Sequence, residues 1–158
     1  MHIYLLRHGD ASSHSQFSDS NRPLTDLGIR QAMLVGTLLQ RMNAVIDTAI
    51  SSPLKRAQET ATIVLSTIDK KLISISNLLI NGSDPQQLFH HLDELRKSSV
   101  LLIGHEPYLS EIISLLIGGK NNGEIEMRKC SLALVKISNP IHPGTGVLKF
   151  LLPVETLL

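Results

Sequence analysis

Aromatic side chains make up only 3% of the 158 residues, and tryptophan is absent. The core must therefore be aliphatic, built from Leu, Ile, Val and Ala. A sheet that stacks single-stranded nucleic acid would carry more aromatic rings. Charge of one sign is scarce as well. The net charge is +1, which gives no broad basic field for a nucleic-acid backbone, so any anion site has to be local. Cysteine occurs once, at Cys130, so no internal disulfide and no cysteine metal cluster can form. That usage fits a reducing, cytoplasmic setting. No apolar run reaches the ~18 residues of a membrane span, and no membrane partner is expected. The opening MHIYLLRHGD meets Arg7 and His8 after a short apolar stretch. An export signal has its charge before the apolar region, so none is read here.

What is present is an ordinary globular composition, 42% hydrophobic and 18% charged, with a length that suits a single domain over residues 1–158. Ile3 to Leu6 reads as a buried strand, and the Ser-, Asp- and Asn-rich residues 11–23 as a loop. Thr25 is placed to cap a helix with the apolar stripe Leu27, Leu34, Val35, Leu38 and Met42. Val45 to Ile50 reads as a second strand. Ser52 is the expected N-cap and Pro53 the first residue of the next helix, with Leu54, Ala57, Ala61, Val64, Leu65 and Ile68 on one face. A third strand is expected over Leu72 to Ile75, and a helix from Pro85 to about Leu95. Val100 to Ile103 is a further buried strand. Glu106 and Pro107 then open a helix closed by Gly118-Gly119. Leu132 to Ile137 and Val147 to Leu152 are the last strands. The expected fold is α/β, a three-layer αβα sandwich with a mostly parallel central sheet.

Ligands in such sheets bind beyond the carboxyl ends of the strands. Three strand ends stand out: Arg7-His8-Gly9, Ser51-Ser52-Pro53-Leu54-Lys55-Arg56, and Gly104-His105. An arginine fork matches the oxygens of a phosphate. A neutral imidazole is a competent nucleophile at phosphorus, and nearby guanidinium groups keep it neutral. A second histidine, when protonated, adds another charged donor. Gly9 lets the backbone pass close to a ligand. Arg56 falls in the first turn of its helix, where a cation opposes the helix dipole and a bound anion restores the balance.

Taken singly, each of these residues has a plainer reading, and Arg-His-Gly alone is a weak motif. Their meeting on one rim is what makes a phosphate site. His2, His14, His90, His91 and His142 read as structural, and Cys130 as a buried small residue. No cluster has metal-ligand spacing, so neither a metal nor a cofactor is expected.

The chain also carries Pro23-Leu24-Thr25-x-x-Gly28-x-x-Gln31-Ala32 and Ser51-Ser52-Pro53-Leu54-x-Arg56-Ala57-x-x-Thr60-Ala61. With Arg7-His8-Gly9 and Gly104-His105, these blocks resemble the histidine phosphatase (phosphoglycerate mutase-like) superfamily. The short length, Asp19 to Thr25 and Gly104-His105-Glu106-Pro107 are similar to its SixA-type phosphohistidine phosphatases. The resemblance implies a phosphoglycerate mutase-like fold and a covalent phosphohistidine at His8. It also implies that Arg7, Arg56 and His105 bind the phosphoryl group and that Arg22 reaches the same pocket.

There are two departures. Glu59 stands where the family often has Gln. The acidic proton donor of larger members is missing across Asn77 to Gly82, with no acid until Asp84. The leading expectation is a metal-independent phosphatase for protein phosphohistidine, inhibited by phosphate-like oxyanions. The alternative is a phosphomonoesterase acting on a small phosphorylated metabolite, and Asp10, Asp19, Asp84 and Glu106 are the acids that would favour it. A mutase would need extra contacts for a sugar acid. A pure phosphate-binding module would have no need of a nucleophile.

Overall fold

The computed structural model describes residues 1–70, 73–120 and 125–157. The strands are β1 (His2–Arg7), β2 (Thr48–Ser51), β3 (Ile73–Ile75), β4 (Ser99–Gly104), β5 (Leu132–Lys136) and β6 (Val147–Leu152). The helices are α1 (Asp26–Arg41), α2 (Lys55–Thr67), α3 (Pro85–Leu95) and α4 (Tyr108–Gly118). The sheet order is β3-β2-β4-β1-β5-β6. The first four strands in that order run parallel, while β5 and β6 join antiparallel at the edge. This is a mixed α/β fold with a mostly parallel sheet, as the element pattern predicts.

Alternation along the central strands sends side chains to two separate cores. Ile3 and Leu5 of β1 with Val100 and Leu102 of β4 pack against α3 and α4. Tyr4 and Leu6 with Leu101 and Ile103 pack against α1 and α2. The continuous apolar runs of β1 and β4 are thus explained by burial on both faces. Among the described residues no helix is long and apolar enough to cross a membrane.

Several boundaries differ from the sequence expectation. Leu72 lies outside the described residues. Val45 is 69% exposed and precedes β2 rather than joining it. The stripe of α1 is rotated: Leu27 and Met42 are 41% and 40% exposed, and the buried line is Gly28, Gln31, Ala32, Val35, Gly36 and Leu39. The reason is close packing. A Cβ on Gly36 would come within 2.6 Å of the Thr67 side chain at the end of α2, so α1 presents small residues to α2 rather than large ones. The start of α2 also differs. Its N-cap is Leu54 with no side-chain capping bond; the helix starts two residues later than expected, and Ser52 Oγ accepts from Leu54 N–H at 3.3 Å instead. α4 begins at Tyr108 rather than at Glu106, and closes on Gly119 at φ 71°.

Candidate active site

The order β2-β4-β1 puts three parallel carboxyl ends side by side, with Arg7 opposite Gly104 and Ser51 opposite Ile103. The ladder continues past the strands. His8 N–H donates to Gly104 C=O at 3.1 Å, and Ser52 N–H to Ile103 C=O at 2.9 Å. His8 and His105 meet with ring centroids 5.1 Å apart.

His8 is buried. Its Nδ1 lies 2.7 Å from Gly9 C=O. A carbonyl only accepts, so Nδ1 carries the proton and Nε2 keeps the lone pair. Arg56 Nε–H donates to that Nε2 at 3.2 Å. Burial pushes the His8 imidazole down to about 3, helped by His105, Arg56 and Arg7 and opposed by the Gly9 bond. His105 is likewise pushed down to about 4, first by burial, then by Arg56 and Arg7, with Asp19 opposing. Both rings are neutral at pH 7, so His105 is not the charged donor that the sequence allowed.

The donors around them are only partly used. Arg7 gives Nη1–H to Met127 C=O at 2.8 Å, while its Nε is buried without a partner, as is His105 Nδ1. Polar atoms left buried and unpaired are costly, and a ligand that reached them would offset that cost. Arg56 is held differently. Its Nη1 donates to Asp19 C=O at 2.6 Å and its Nη2 to the Asp19 carboxylate at 3.3 Å. Burial pulls the Asp19 carboxyl up, but Arg22 and Arg56 outweigh it and hold it below its ordinary value.

Arg22 does not touch His8, Arg7 or Arg56 through any hydrogen bond seen here. Its Nε donates to Ser12 C=O at 2.6 Å and its Nη1 to Asp19 at 3.1 Å. It therefore stands one link behind Arg56, bracing the 3-10 turn Asp19–Asn21.

The motif residues between these blocks hold the His8 segment still. Thr60 Oγ1 accepts from Gly9 N–H at 3.1 Å and donates to Arg56 C=O at 2.7 Å. Gln31 accepts from Asp10 N–H at 2.8 Å. Thr25, the N-cap of α1, donates to the Asp10 carboxylate at 2.7 Å, and Lys129 forms an ion pair with the same group. Glu59, the departure from the family's Gln, accepts from Leu24 N–H at 2.7 Å, a contact a Gln carbonyl would also make. Gly28 is in van der Waals contact with the loop: a Cβ there would lie 2.1 Å from Asp10 C=O.

Sequence reasoning missed the role of Ser52, which it read as a helix cap: its hydroxyl lies 2.6 Å from His105 Nε2. It also missed Met127 and Lys129, which come from far along the chain with no motif to mark them. Thr60 and Gln31 were visible only as members of the quoted blocks.

Of the four acids considered as proton donors, three make their hydrogen bonds away from His8, although burial pushes the Glu106 carboxyl up, with Ser110 and Arg7 opposing. Asp10 is paired with Lys129 and Thr25. Asp84 caps α3, accepting from Gln86 N–H at 3.0 Å. Glu106 accepts from Ser110 Oγ at 2.5 Å and from its N–H at 3.2 Å. Only Asp19, of these four, bonds to a member of the His8 cluster. Cys130 is buried with its thiol pushed up to about 12, first by burial and then by Glu155, so it offers no thiolate. Among the described residues no group of three His, Cys, Asp or Glu side chains is placed to hold a metal ion.

The two neutral histidines make the fold sensitive to acid. In the unfolded chain each takes a proton near 6.5, but in the fold only near 3 for His8 and 4 for His105. The unfolded state binds more protons in that window, so stability falls as pH drops below 6.5. Tm is expected to fall by roughly 4 °C or more between pH 6.5 and pH 5. The fall should be smaller in His8→Gln, and a Tm flat across that range in the native protein would contradict the burial described.

Comparison with known proteins places the chain in a family. The family model of the histidine phosphatase superfamily (branch 1) matches residues 3–79, which include Arg7, His8 and Arg56. A Haemophilus influenzae protein described as a phosphohistidine phosphatase SixA homolog is 32% identical over 132 residues, covering 77% of this chain and 80% of its own. The solved structure of the protein histidine phosphatase SixA complexed with tungstate superposes with a TM-score of 0.90 at 25% identity, covering 100% of both chains. The alpha-ribazole phosphatase from Shigella flexneri has a TM-score of 0.76 at 21% identity, covering 96% of each chain. At that identity the likeness carries the fold alone. The class is that of a phosphatase on an α/β frame. More narrowly, the chain belongs to the histidine phosphatase superfamily.

Proposed function

We propose that the protein hydrolyses phosphohistidine on proteins, through a covalent phosphohistidine at His8. The observation that carries this reading is the state of Asp19. It is the one candidate acid bonded to the cluster, and Arg22 and Arg56 keep it ionised. A carboxylate has no proton to give a leaving alkoxide, and general acid help is worth ~10²–10⁴-fold. Cleavage of a phosphoramidate needs that help less, because an imidazole leaves as a neutral or readily protonated group.

In this reading the substrate's imidazole carries a proton on the ring nitrogen not bonded to phosphorus. His8 Nε2 attacks phosphorus, the P–N bond breaks, and its electron pair returns to the ring, which departs as neutral imidazole. Arg56 Nε–H, which now covers the Nε2 lone pair, turns to the phosphoryl oxygens. Arg7 and His105 supply the remaining donors. Water then attacks phosphorus, the bond to Nε2 breaks, and inorganic phosphate leaves with His8 neutral again. The Haemophilus influenzae relative described as a phosphohistidine phosphatase homolog supports the same substrate class.

The deciding measurement is kcat/KM on a phosphohistidine-bearing domain against a phosphoserine peptide. A preference of ~10²-fold or more for the phosphoramidate is expected, the size of the missing acid's contribution. Comparable values, with a large loss in Asp19→Asn on the ester alone, would replace this reading with a phosphatase for small phosphate esters.

A further inference from the structure

Ser52 is fully buried, and so, to 3% exposure, is His105. The two residues leave neighbouring strands that are tied together, since Ser52 N–H donates to Ile103 C=O at 2.9 Å, two positions before His105. Their side chains meet at 2.6 Å through Ser52 Oγ and His105 Nε2. The serine oxygen also accepts from Leu54 N–H at 3.3 Å.

Hydrogen counting decides which atom donates. A hydroxyl has one hydrogen to give and two lone pairs to offer. If His105 carried its proton on Nε2, Ser52 would receive two N–H groups and its own hydrogen would be buried with nothing to accept it. If the proton sits on Nδ1, the serine donates to the bare Nε2 and every hydrogen of Ser52 is used. Burial of the ring keeps His105 neutral, so only one nitrogen carries hydrogen. The second arrangement leaves Nδ1–H as the ring's spare donor, and Nδ1 is the atom found buried without a partner.

We propose that Ser52 is a positioning residue that holds His105 as its Nδ1–H tautomer, leaving that N–H as the ring's donor to the phosphoryl group. This rests on the reading of His105 as a phosphoryl ligand. The two histidines are then set in complementary ways. A backbone carbonyl holds the proton on Nδ1 of His8 and frees Nε2 to attack. A hydroxyl occupies Nε2 of His105 and leaves an N–H to bind oxygen. In the opposite tautomer His105 would turn a lone pair toward a phosphate oxygen and repel it.

Two-bond proton–nitrogen correlation spectra of the ¹⁵N-histidine-labelled protein at pH 7 identify the tautomer of each ring. The native protein is expected to show His105 as Nδ1–H. In Ser52→Ala the Nε2–H form should appear, and kcat/KM on a phosphohistidine-bearing domain should drop about tenfold or more, the loss that follows one mis-set hydrogen bond. An Nε2–H signature in the native protein overturns the proposal. So does an unchanged tautomer in Ser52→Ala, whatever the rate. The Nδ1–H signature in a protein without phosphohistidine phosphatase activity would uphold the tautomer while removing the proposed function, so the two fail separately.

Discussion

His8→Ala is expected to reduce turnover by ~10³-fold or more, the scale of loss when a covalent nucleophile is removed. The protein should remain folded. His8 belongs to neither of the two apolar clusters, and its backbone bonds to Gly104 and Cys130 do not need the imidazole. Loss of the ring even removes one group that acid would charge. The variant should therefore show native far-UV circular dichroism and no acid-labile phosphate on residue 8 after brief exposure to substrate. The native protein should show that label by mass spectrometry. Turnover near the native rate in the variant would end the covalent mechanism.

Arg56→Ala is expected to cost ~10²–10³-fold in kcat/KM, the usual loss for one donor aimed at developing charge. The guanidinium is placed for two tasks. Its Nε caps the His8 lone pair, and its two terminal nitrogens hold the Asp19 turn. Removing it should also weaken binding of tungstate, whose oxygens stand in for those of the transferring phosphoryl group. The loss should not add to that of Arg7→Ala, because both act on the same group. Native tungstate affinity in Arg56→Ala, read by calorimetry, would mean that the anion sits elsewhere.

Much of this arrangement is legible in the sequence because strand ends are local events. The runs ending in Arg7, Ser51 and Gly104 are short, apolar and followed by polar residues, and a parallel sheet then brings those ends to one rim. The phosphate-like set of Arg7, His8, Arg56 and His105 follows from that alone, with the motif blocks adding Thr60 and Gln31 as their neighbours. What remains hidden is decided by packing between distant segments. The rotated face of α1 could not be read from hydrophobicity, since close approach to α2 rewards the small Gly36 over a larger apolar residue. Ser52 was read as a helix cap because its pattern with Pro53 suits one, yet α2 starts only at Lys55 and the hydroxyl meets the imidazole of His105. Lys129 reaches Asp10 across 119 residues, and no local pattern announces it. Asp19 was visible as an acid, but only the fold shows it lying on a guanidinium.

The contact between Gly28 and the Asp10 carbonyl also sorts this chain's positions by their freedom to vary. Along α1, Leu27, Ile29 and Met33 face solvent and can be exchanged for polar residues at little cost. Gly28 sits among them and has no such latitude. Its missing Cβ is the space the loop beyond His8 occupies, and Gly9 has the same relation to Gly28, whose carbonyl would lie 2.8 Å from an added Cβ. Backbone against backbone leaves nothing to rotate out of the way. A single methyl group at either position would push the main chain next to His8, and displacements near 1 Å can cost about 10²-fold where reacting atoms must align. Mutational drift along this helix is thus permitted on its solvent face, while on the buried face it is barred at Gly28 by the neighbouring main chain and at Gly36 by Thr67.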